Sequence, residues 1–295
     1  MGNAFIEEST LTAIGNAIRT KTGKSDLMLP KAMAPAILGI KPSITIVPWS
    51  TGTDEQIVAM VAAADRGEIN LADYWSVGDV RTVHLSSTPA LGVSEEQPEQ
   101  DAEFVLMHAG EYKLNSAVAS GRDTCSFVVG MKGCLWEMGD MDPSSSYTGS
   151  WDGCARRTWC NHVFRSAVPN SLAPIFKQFK TKTATTYNAT TVQTSIDWFA
   201  LPACKEIYGG TATEAGDSTT YYSNLTEFNA LFQFDYYKTA ANWEYKTNTN
   251  GDVFNWVQRS PLYLAEGNFV FTYNGGGTDA SSVTDSYGIS PFGCI

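Results

Sequence analysis

The chain has few charged residues, few histidines and no long apolar run. Of its 295 residues only 17% are charged and three are histidines, while the formal net charge is −11 at pH 7. Its short apolar runs, such as Ile44 to Val47, are far too short to cross a bilayer. The negative charge and the lack of a basic run argue against non-specific affinity for nucleic acid or anionic membranes. We therefore expect no nucleic-acid partner and no membrane insertion.

Sequence signatures of common enzymes are missing as well. There is no G-x-S-x-G elbow, no P-loop, no G-x-G-x-x-G opening a helix and no H-E-x-x-H. The sequence does not exclude a Ser-His-Asp triad that contains His84, His108 or His162. No local sequence motif, however, marks a nucleophile. We expect these histidines to be structural or on the surface. The sequence therefore predicts neither an enzyme nor a cofactor.

The six cysteines include no C-x-x-C pair. Cys154, Cys160 and His162 lie close together, but a second ligand pair at zinc-finger or zinc-ribbon spacing is missing. We therefore expect no metal site. No Sec-type signal peptide is visible, which predicts folding in a reducing cytoplasm. Buried free thiols are expected there more than disulfides, although the sequence leaves cysteine pairing open.

The first forty residues differ from the remainder. Leu11, Ile14 and Ile18 follow helical spacing, and Pro30 stands where a second short helix could begin. Two short amphipathic helices are not stable alone, so their apolar faces need a partner. The sequence predicts a helical attachment or assembly module over residues 1–42, with a boundary at Lys41-Pro42-Ser43.

Residues 43–295 alternate strand signals with a few helices and long loops. Thr53 to Gln56 forms a capping box ahead of a helix, and Val80 to Leu85 alternates as a strand. Ile44 to Val47 also has strand character, while Pro169-Asn170-Ser171 predicts the start of a helix that continues through Phe179. This order of elements predicts an α+β domain with much irregular backbone.

The segment from Asn255 to Ile295 is the most informative. After Arg259 it contains no Lys, Arg, His, Met, Gln or Trp. It is rich in the residues of binding surfaces, where Tyr supplies contact area at low entropic cost and Ser, Asn and Gly supply adaptable hydrogen bonds. Buried-type residues such as Phe269 and Phe292 predict that the segment is woven into the domain. Ordinary loops share this composition, so composition alone leaves recognition and plain loops both open.

Specific motifs in this segment favour recognition through a resemblance to a known family. The run Trp256-Val257-Gln258-Arg259-Ser260-Pro261, closed downstream by Gly288-Ile289-Ser290-Pro291-Phe292, resembles the variable region of diversity-generating retroelement target proteins. Upstream, Tyr74 to Asp79 and Gly153 to Arg157 resemble the body of tail-fibre-type domains of gut bacteriophages. Residues 5–40 resemble an N-terminal helical module of phage tail proteins, so the resemblance covers nearly the whole chain.

The resemblance implies a C-type-lectin-like (formylglycine-generating-enzyme-like) domain over residues 43–295. Such a domain has short antiparallel sheets, a few helices and long loops, with the variable region at about 255–295. The implied scaffold residues are Arg259, Ser260, Pro261, Gly288 and Pro291. The implied ligand-binding residues are Trp256, Gln258, Leu262, Tyr263, Leu264, Glu266, Tyr273, Asn274, Thr278, Asp279, Ser281, Ser282, Thr284 and Asp285.

The function implied by the resemblance is a receptor-binding protein of a phage tail. It would be made in the host bacterial cytoplasm, carried in the virion, and bind a bacterial surface protein or glycan. Residues 1–40 would contact phage tail proteins, and they would also allow a homo-oligomer. In this family, reverse-transcription errors at adenines vary asparagine codons. From Leu262 to Tyr287, only Glu266 lies outside the amino acids that such codons reach.

Two other functions remain open at this stage. One is a structural virion or tail protein without a ligand at the C-terminal face. The other is an oxidase of the formylglycine-generating type, whose chemistry needs a close cysteine pair near the C-terminus, where Cys294 stands alone. The tripeptides of calcium-dependent lectins are missing from the segment, so the lectin-like fold does not predict a calcium site.

Overall fold

The structure, a computed structural model, describes residues 8–22, 44–147, 149–186, 189–209, 227, 229–244, 246–262 and 266–295. The chain divides into two compact units, Met1–Thr45 and Ile46–Ile295. In the first unit, helix α1 (Glu8–Thr22) confirms the predicted first helix, with Ile18 buried and Ile14 exposed. The second predicted helix, from Pro30, lies outside the described residues. Within the described ranges, no helix combines the length and apolar character needed to cross a bilayer.

The second unit contains short helices. Helix α2 (Asp54–Asp65) begins at the predicted capping box, in which the Thr53 side chain and the Gln56 side chain each accept from the other's backbone N–H. Its buried face is formed by Ile57, Met60, Val61, Ala63 and Ala64. The described helices also include α3 (Ala155–Trp159), a π turn (Cys160–Phe164), α4 (Arg165–Ala167), α5 (Cys204–Tyr208) and α6 (Ala241–Glu244), besides several short 3₁₀ turns.

Twelve strands are described, most of them short. They are β1 (Val80–Leu85), β2 (Gln100–Ala109), β3 (Phe127–Met131), β4 (Phe179–Ala184), β5 (Val192–Asp197), β6 (Phe199–Ala200), β7 (Lys246–Thr247), β8 (Val253–Phe254), β9 (Trp256–Pro261), β10 (Asn268–Thr272), β11 (Thr278–Ser282) and β12 (Phe292–Cys294). All pairings between them are antiparallel. Together with the helices they confirm the predicted mixed α+β class.

The largest sheet has the strand order β1-β2-β3-β12-β6. Strand β12 pairs with β3 on one side and with β6 on the other, so the end of the chain lies inside the sheet. Phe292 from β12 packs against Phe179 and Phe234, with ring centroids 5.3 and 5.2 Å away. The prediction that the C-terminal segment is woven into the domain is therefore confirmed.

Three smaller sheets complete the unit. Strands β11, β10 and β9 form a three-stranded sheet in that order, while β4 with β5 and β7 with β8 form two-stranded ribbons. Strand β9 packs against α5 and β4. Every residue of β9 is buried, and β11 is an edge strand of this sheet among the described residues.

Two local predictions are wrong. The segment after Pro169 forms only the 3₁₀ turn Ala173–Ile175, and Phe176 is already extended (φ −74°, ψ 137°). Phe179 then begins β4, whose burial alternates because Phe179, Thr181 and Thr183 face inward in register with β5. Tertiary pairing overrides the local helix signal. Ile44 to Val47 is irregular and not a strand.

Candidate functional site

Strand β9 carries a buried ion pair. The Arg259 side chain is fully buried, and its Nη1 atom donates to Glu206 Oε2 and to the Leu201 carbonyl oxygen, both at 2.6 Å. Its Nη2 atom donates to Glu206 Oε1 and, at 3.1 Å, to the Tyr112 hydroxyl. Burial alone would lower the pKa of Arg259, but the carboxylate of Glu206 outweighs it and raises that pKa. The bidentate geometry makes this pair a strong anchor.

A second buried carboxylate lies beside the ion pair. The Ser260 hydroxyl donates to Glu227 Oε1 at 2.6 Å and accepts from the backbone N–H of Cys204 at 3.0 Å. The Ala184 N–H donates to the other Glu227 oxygen at 2.5 Å. Burial raises the pKa of Glu227 to about 7, which puts its titration near neutrality. Strand β9 is thus joined to α5, β4 and Glu227 by polar side chains.

The predicted scaffold residues all lie inside the domain. Arg259, Ser260, Pro261, Gly288 and Pro291 are buried. A Cβ atom on Gly288 would lie 2.8 Å from the Cys134 sulfur and 2.9 Å from the Cβ of Phe254, so only glycine fits there without a shift.

The main partner of Arg259 is a carboxylate, although a guanidinium can also bind several backbone carbonyls at once. The structure gives it one carbonyl, that of Leu201, and Glu206 as its main partner. Glu206 lies 53 residues earlier in the chain, so the pairing leaves no local sequence signal.

A buried lysine, Lys246, was missed by the sequence analysis. Its Nζ atom donates at 2.9 Å to the carbonyl oxygens of Met131 and Lys132 and to the Ser290 hydroxyl. It also lies 4.9 Å from the centroid of the Trp256 ring. Burial lowers the pKa of Lys246 to about 8. This lysine links β3 to the segment that leads into β12.

The β10–β11 hairpin is more exposed to solvent than the buried strand β9. All five residues of β11 are half-buried. At the tip, Tyr273 and Asn274 are exposed, and Gly275 and Gly276 adopt left-handed φ values of 104° and 92° that favour glycine. We call the described polar residues here the hairpin surface: Tyr273, Asn274, Thr278, Asp279, Ser281, Ser282, Thr284 and Asp285.

Several polar side chains of the hairpin surface bond to one another. The Tyr273 hydroxyl donates to Asp279, and the Ser281 hydroxyl donates to Asp285. Ser282 Oγ lies 3.0 Å from Thr284 Oγ1. These bonds join residues at most six positions apart, in contrast with the long-range bonds of β9. These side chains bond mainly to one another, and Tyr273 also contacts the buried Phe271.

Aromatic rings support the hairpin from below. Phe271 is buried and stacks on Tyr287 with ring centroids 4.5 Å apart. Tyr273 meets the edge of Phe271 at 5.1 Å. The exposed tyrosine is therefore held in place by a buried neighbour, which limits the entropy that it loses on binding.

Three of the predicted contact residues must be corrected. Trp256 and Gln258 have no exposed surface and Leu262 is 7% exposed, so none of them can lie at a contact surface. Trp256 donates to the Trp243 carbonyl oxygen at 3.2 Å, and Gln258 donates to the Thr272 hydroxyl at 3.0 Å. These side chains are buried because neighbouring elements pack against both faces of β9, all six residues of which are buried. Tyr263 and Leu264 lie outside the described residues, and Glu266 is exposed.

The cysteines outside this region lie in the interior. All six cysteines are buried as free thiols. Burial raises the pKa of Cys134 and of Cys154 to about 12, which opposes thiolate formation. Over the described ranges, no group of three or more His, Cys, Asp or Glu side chains is placed to hold a metal ion.

The fold and these contacts define an α+β protein in which a strand with a buried ion pair adjoins a hydroxyl-rich hairpin. The chain belongs to the family described as a domain of unknown function (DUF6273), whose model matches residues 122–295, more than half of the chain. That range contains β9, Glu206, Glu227 and the hairpin surface. No curated protein and no solved structure matches the chain.

Proposed function

We propose that this chain is a receptor-binding protein of a bacteriophage tail, with a C-type-lectin-like domain. Its C-terminal surface would be varied by a diversity-generating retroelement and bind a protein or glycan on the bacterial surface. One observation carries the proposal. Within about forty residues, the chain joins a strand fixed by long-range buried contacts to a hairpin whose polar side chains contact mainly one another.

The buried part supports the proposal because a variable surface needs a fixed support. Arg259 and Ser260 connect β9 to Glu206 and Glu227 without using any residue of the hairpin surface. Strand β12 closes the same segment inside the five-stranded sheet. Changes between these two anchors can therefore alter the surface while the domain keeps its fold.

The chemistry of the hairpin surface supports binding. Its hydroxyls, carboxylates and amide can each form hydrogen bonds with a protein or a sugar, and Tyr273 is 38% exposed. A tyrosine at the centre of an interface can contribute ~2 kcal/mol or more to binding. Excluding Tyr263 and Leu264, the proposed contacts are the residues of the hairpin surface together with Glu266.

We further propose that residues 1–42 attach the protein to other tail proteins or to a second copy of the chain. The support is the amphipathic spacing of Leu11, Ile14 and Ile18, of which Ile14 is exposed in α1. Helix α1 has only 15 residues, and isolated helices of that length are marginal in water. The proposed location of the protein is the phage virion.

The test is to sequence the DNA around the gene and the gene itself in many members of one phage population. The proposal predicts a neighbouring reverse transcriptase gene and a near-identical template repeat. It also predicts substitutions at adenines, confined to codons of residues 255–295 and sparing Arg259, Ser260 and Gly288. A purely structural tail protein would show no such adenine bias. Substitutions spread evenly over the domain would refute the proposal.

The oxidase alternative gains no support from the structure. Cys294 is fully buried in β12, and burial raises its pKa well above the ordinary range of a thiol. Cys204 is buried as well, and its pKa is raised for the same reason. Because burial opposes thiolate formation at both cysteines, we do not propose an oxidase.

A further inference from the structure

The segment between Asp152 and Asp197 has an unusual charge. Residues 153–196 contain no Asp or Glu, although the chain as a whole carries a net charge of −11. The same segment holds six of the 20 Lys and Arg residues: Arg156, Arg157, Arg165, Lys177, Lys180 and Lys182. It folds into α3, the π turn, α4, β4 and β5. A cationic region of an acidic protein therefore lies on a few adjoining elements.

Three of these six cationic side chains are paired with a carboxylate or buried. Arg157 Nε lies 2.6 Å from Asp197 Oδ1, and Lys177 Nζ lies 2.7 Å from Asp65 Oδ2. Arg156 is fully buried, and its Nε atom donates to a backbone carbonyl oxygen. The remaining three are exposed and form no salt bridge with any residue that the structure describes: Arg165, Lys180 and Lys182.

The lysines point to one side of the β4–β5 ribbon. Lys180 pairs in register with Ile196, and Lys182 pairs with Thr194, and all four are exposed. Residues opposite each other in an antiparallel pair lie on the same face, and alternate residues of one strand are about 6.7 Å apart. The ribbon therefore presents two ammonium groups in a row beside the apolar side chain of Ile196.

A cavity of 180 Å³ lies between this face and the helical segment that contains Arg165. It is lined by Arg157, Asn161, His162, Arg165, Ile196 and Trp198, among others. The guanidinium carbon of Arg165 lies 3.6 Å from the centroid of the Trp198 ring. Stacking occupies the flat side of a guanidinium and leaves the N–H groups at its edge free to bind a carboxylate.

A second cavity, of 320 Å³, lies at the other end of the ribbon. It is lined by Lys180, Lys182 and Thr194, together with Lys113 and Phe232. Acidic groups are also near, because Asp123 pairs with Lys113 at 2.9 Å and Glu111 lines the cavity. Asp123 also attracts Lys180, and Asp152 lies 3.5 Å from Arg157 beside the first cavity. Among the described residues, Arg165 and Lys182 therefore carry most of the unmatched positive charge of this face.

We propose that this basic face, defined by Arg165, Lys180, Lys182, Ile196 and Trp198, binds a carboxylated polysaccharide. Uronate carboxylates would pair with the two lysines and the stacked arginine, and sugar rings would lie on the apolar surfaces of Ile196 and Trp198. Nucleic acid fits less well, because three free cations on a chain of net charge −11 supply little attraction for a duplex. The proposal does not depend on the function of the hairpin surface.

The test measures binding of the full chain to polygalacturonate, with neutral dextran and polyphosphate as comparison polymers. We expect binding to polygalacturonate that weakens as salt rises from about 0.05 to about 0.2 M, and no binding to dextran. The variant R165Q/K180Q/K182Q should lose at least about tenfold in affinity, since it removes all three charge-assisted contacts. Its melting temperature should stay unchanged, because the three side chains are exposed.

A matched control removes the same net charge elsewhere. Arg66, Lys132 and Lys238 are exposed and ion-paired, and R66Q/K132Q/K238Q should change the affinity by less than about twofold. If losing the Arg165 stack disturbs folding, K180Q/K182Q keeps that stack and should still weaken binding. Equal losses in both triple variants, equal binding to dextran, or binding to polyphosphate but not to polygalacturonate would overturn the proposal.

Discussion

Strands β9 and β11 belong to the same three-stranded sheet, yet their polar residues behave in opposite ways. Every residue of β9 is buried, and its Arg259 reaches a carboxylate 53 residues earlier in the chain. Every residue of β11 is half-buried, and its Ser281 bonds to Asp285 four residues later. The side-chain contacts of one segment are thus long-range in β9 and local in β11, so substitutions in the two strands should differ in their effect on the fold.

The energetic consequence follows from burial. Removing one partner of a buried ion pair leaves an uncompensated charge and costs about 3–5 kcal/mol. Exposed substitutions away from special features usually change stability by about 0.5 kcal/mol or less. The difference between β9 and β11 should therefore be visible in unfolding experiments, whatever the ligand is.

The largest effect should come from deleting Phe292 to Ile295. This deletion removes β12 from between β3 and β6 and takes Phe292 from the aromatic core. We expect the truncated chain to lose its cooperative thermal transition, measured by circular dichroism. The same measurement on Tyr273→Ala serves as a control and should show an intact transition. A truncated chain that melts within a few degrees of the full chain would show that the C-terminal strand is dispensable.

A smaller but still large effect is expected from Arg259→Ala. The variant leaves Glu206 buried without its cation, and the free energy of unfolding should fall by about 3–5 kcal/mol. Chemical denaturation with urea measures this change. Asp279→Ala is the matched control, because it removes a charged side chain from β11 instead. A loss of less than about 1 kcal/mol for Arg259→Ala would mean that the pair does not anchor the strand.

A pH-dependent effect of intermediate size is expected from Glu227. Its pKa in the folded chain, about 7, exceeds the ordinary value of 4.5, so the folded chain holds a proton that the unfolded chain has lost. Stability should therefore fall as pH rises from about 4.5 to about 7, by ~3 kcal/mol. Glu227→Gln should flatten this dependence. Parallel pH profiles for the two proteins would contradict the assignment.

The smallest effects should occur at the edge strand. Ser281→Ala removes a hydroxyl whose partner, Asp285, is exposed and can bind water instead. We expect a change of about 0.5 kcal/mol or less in the free energy of unfolding. Ser260→Ala, the same substitution in β9, leaves a buried carboxylate short of a donor and should cost about 1–3 kcal/mol. If the two serine variants lose similar amounts of unfolding free energy, β9 and β11 do not differ as anchor and surface.

The sequence predicted the elements whose signals are local. The capping box at Thr53 located α2, and the alternation of Val80 to Leu85 located β1, because neighbouring residues alone set these patterns. The α+β class followed from the same kind of signal. The family resemblance supplied the five scaffold residues, all of which are buried.

The errors share a different cause. Trp256 and Gln258 were assigned to the contact surface through the family resemblance, whereas both side chains are fully buried and bond to Trp243 and Thr272. Glu206 and Lys246 were missed because their partners lie far away in sequence. The helix expected from Pro169 through Phe179 is instead a 3₁₀ turn followed by extended chain, because Phe179 pairs with Asp197 of β5. Contacts between residues far apart in the sequence cannot be predicted from a local sequence pattern.

The most direct test of the central claim compares the melting temperatures of two variants. One replaces six residues of the hairpin surface together, with Tyr273→Ser, Asn274→Asp, Asp279→Asn, Ser281→Thr, Thr284→Ala and Asp285→Tyr. The other is Arg259→Ala alone. In a domain of about 250 residues, 1 kcal/mol corresponds to about 2–4 °C.

The account predicts that the sixfold variant melts within about 3 °C of the parent protein, while Arg259→Ala melts at least about 6 °C lower. The sixfold variant changes more side chains, but all of them lie outside the core. If the sixfold variant melts as low as Arg259→Ala, the hairpin residues are part of the core and the separation of anchor from surface is wrong.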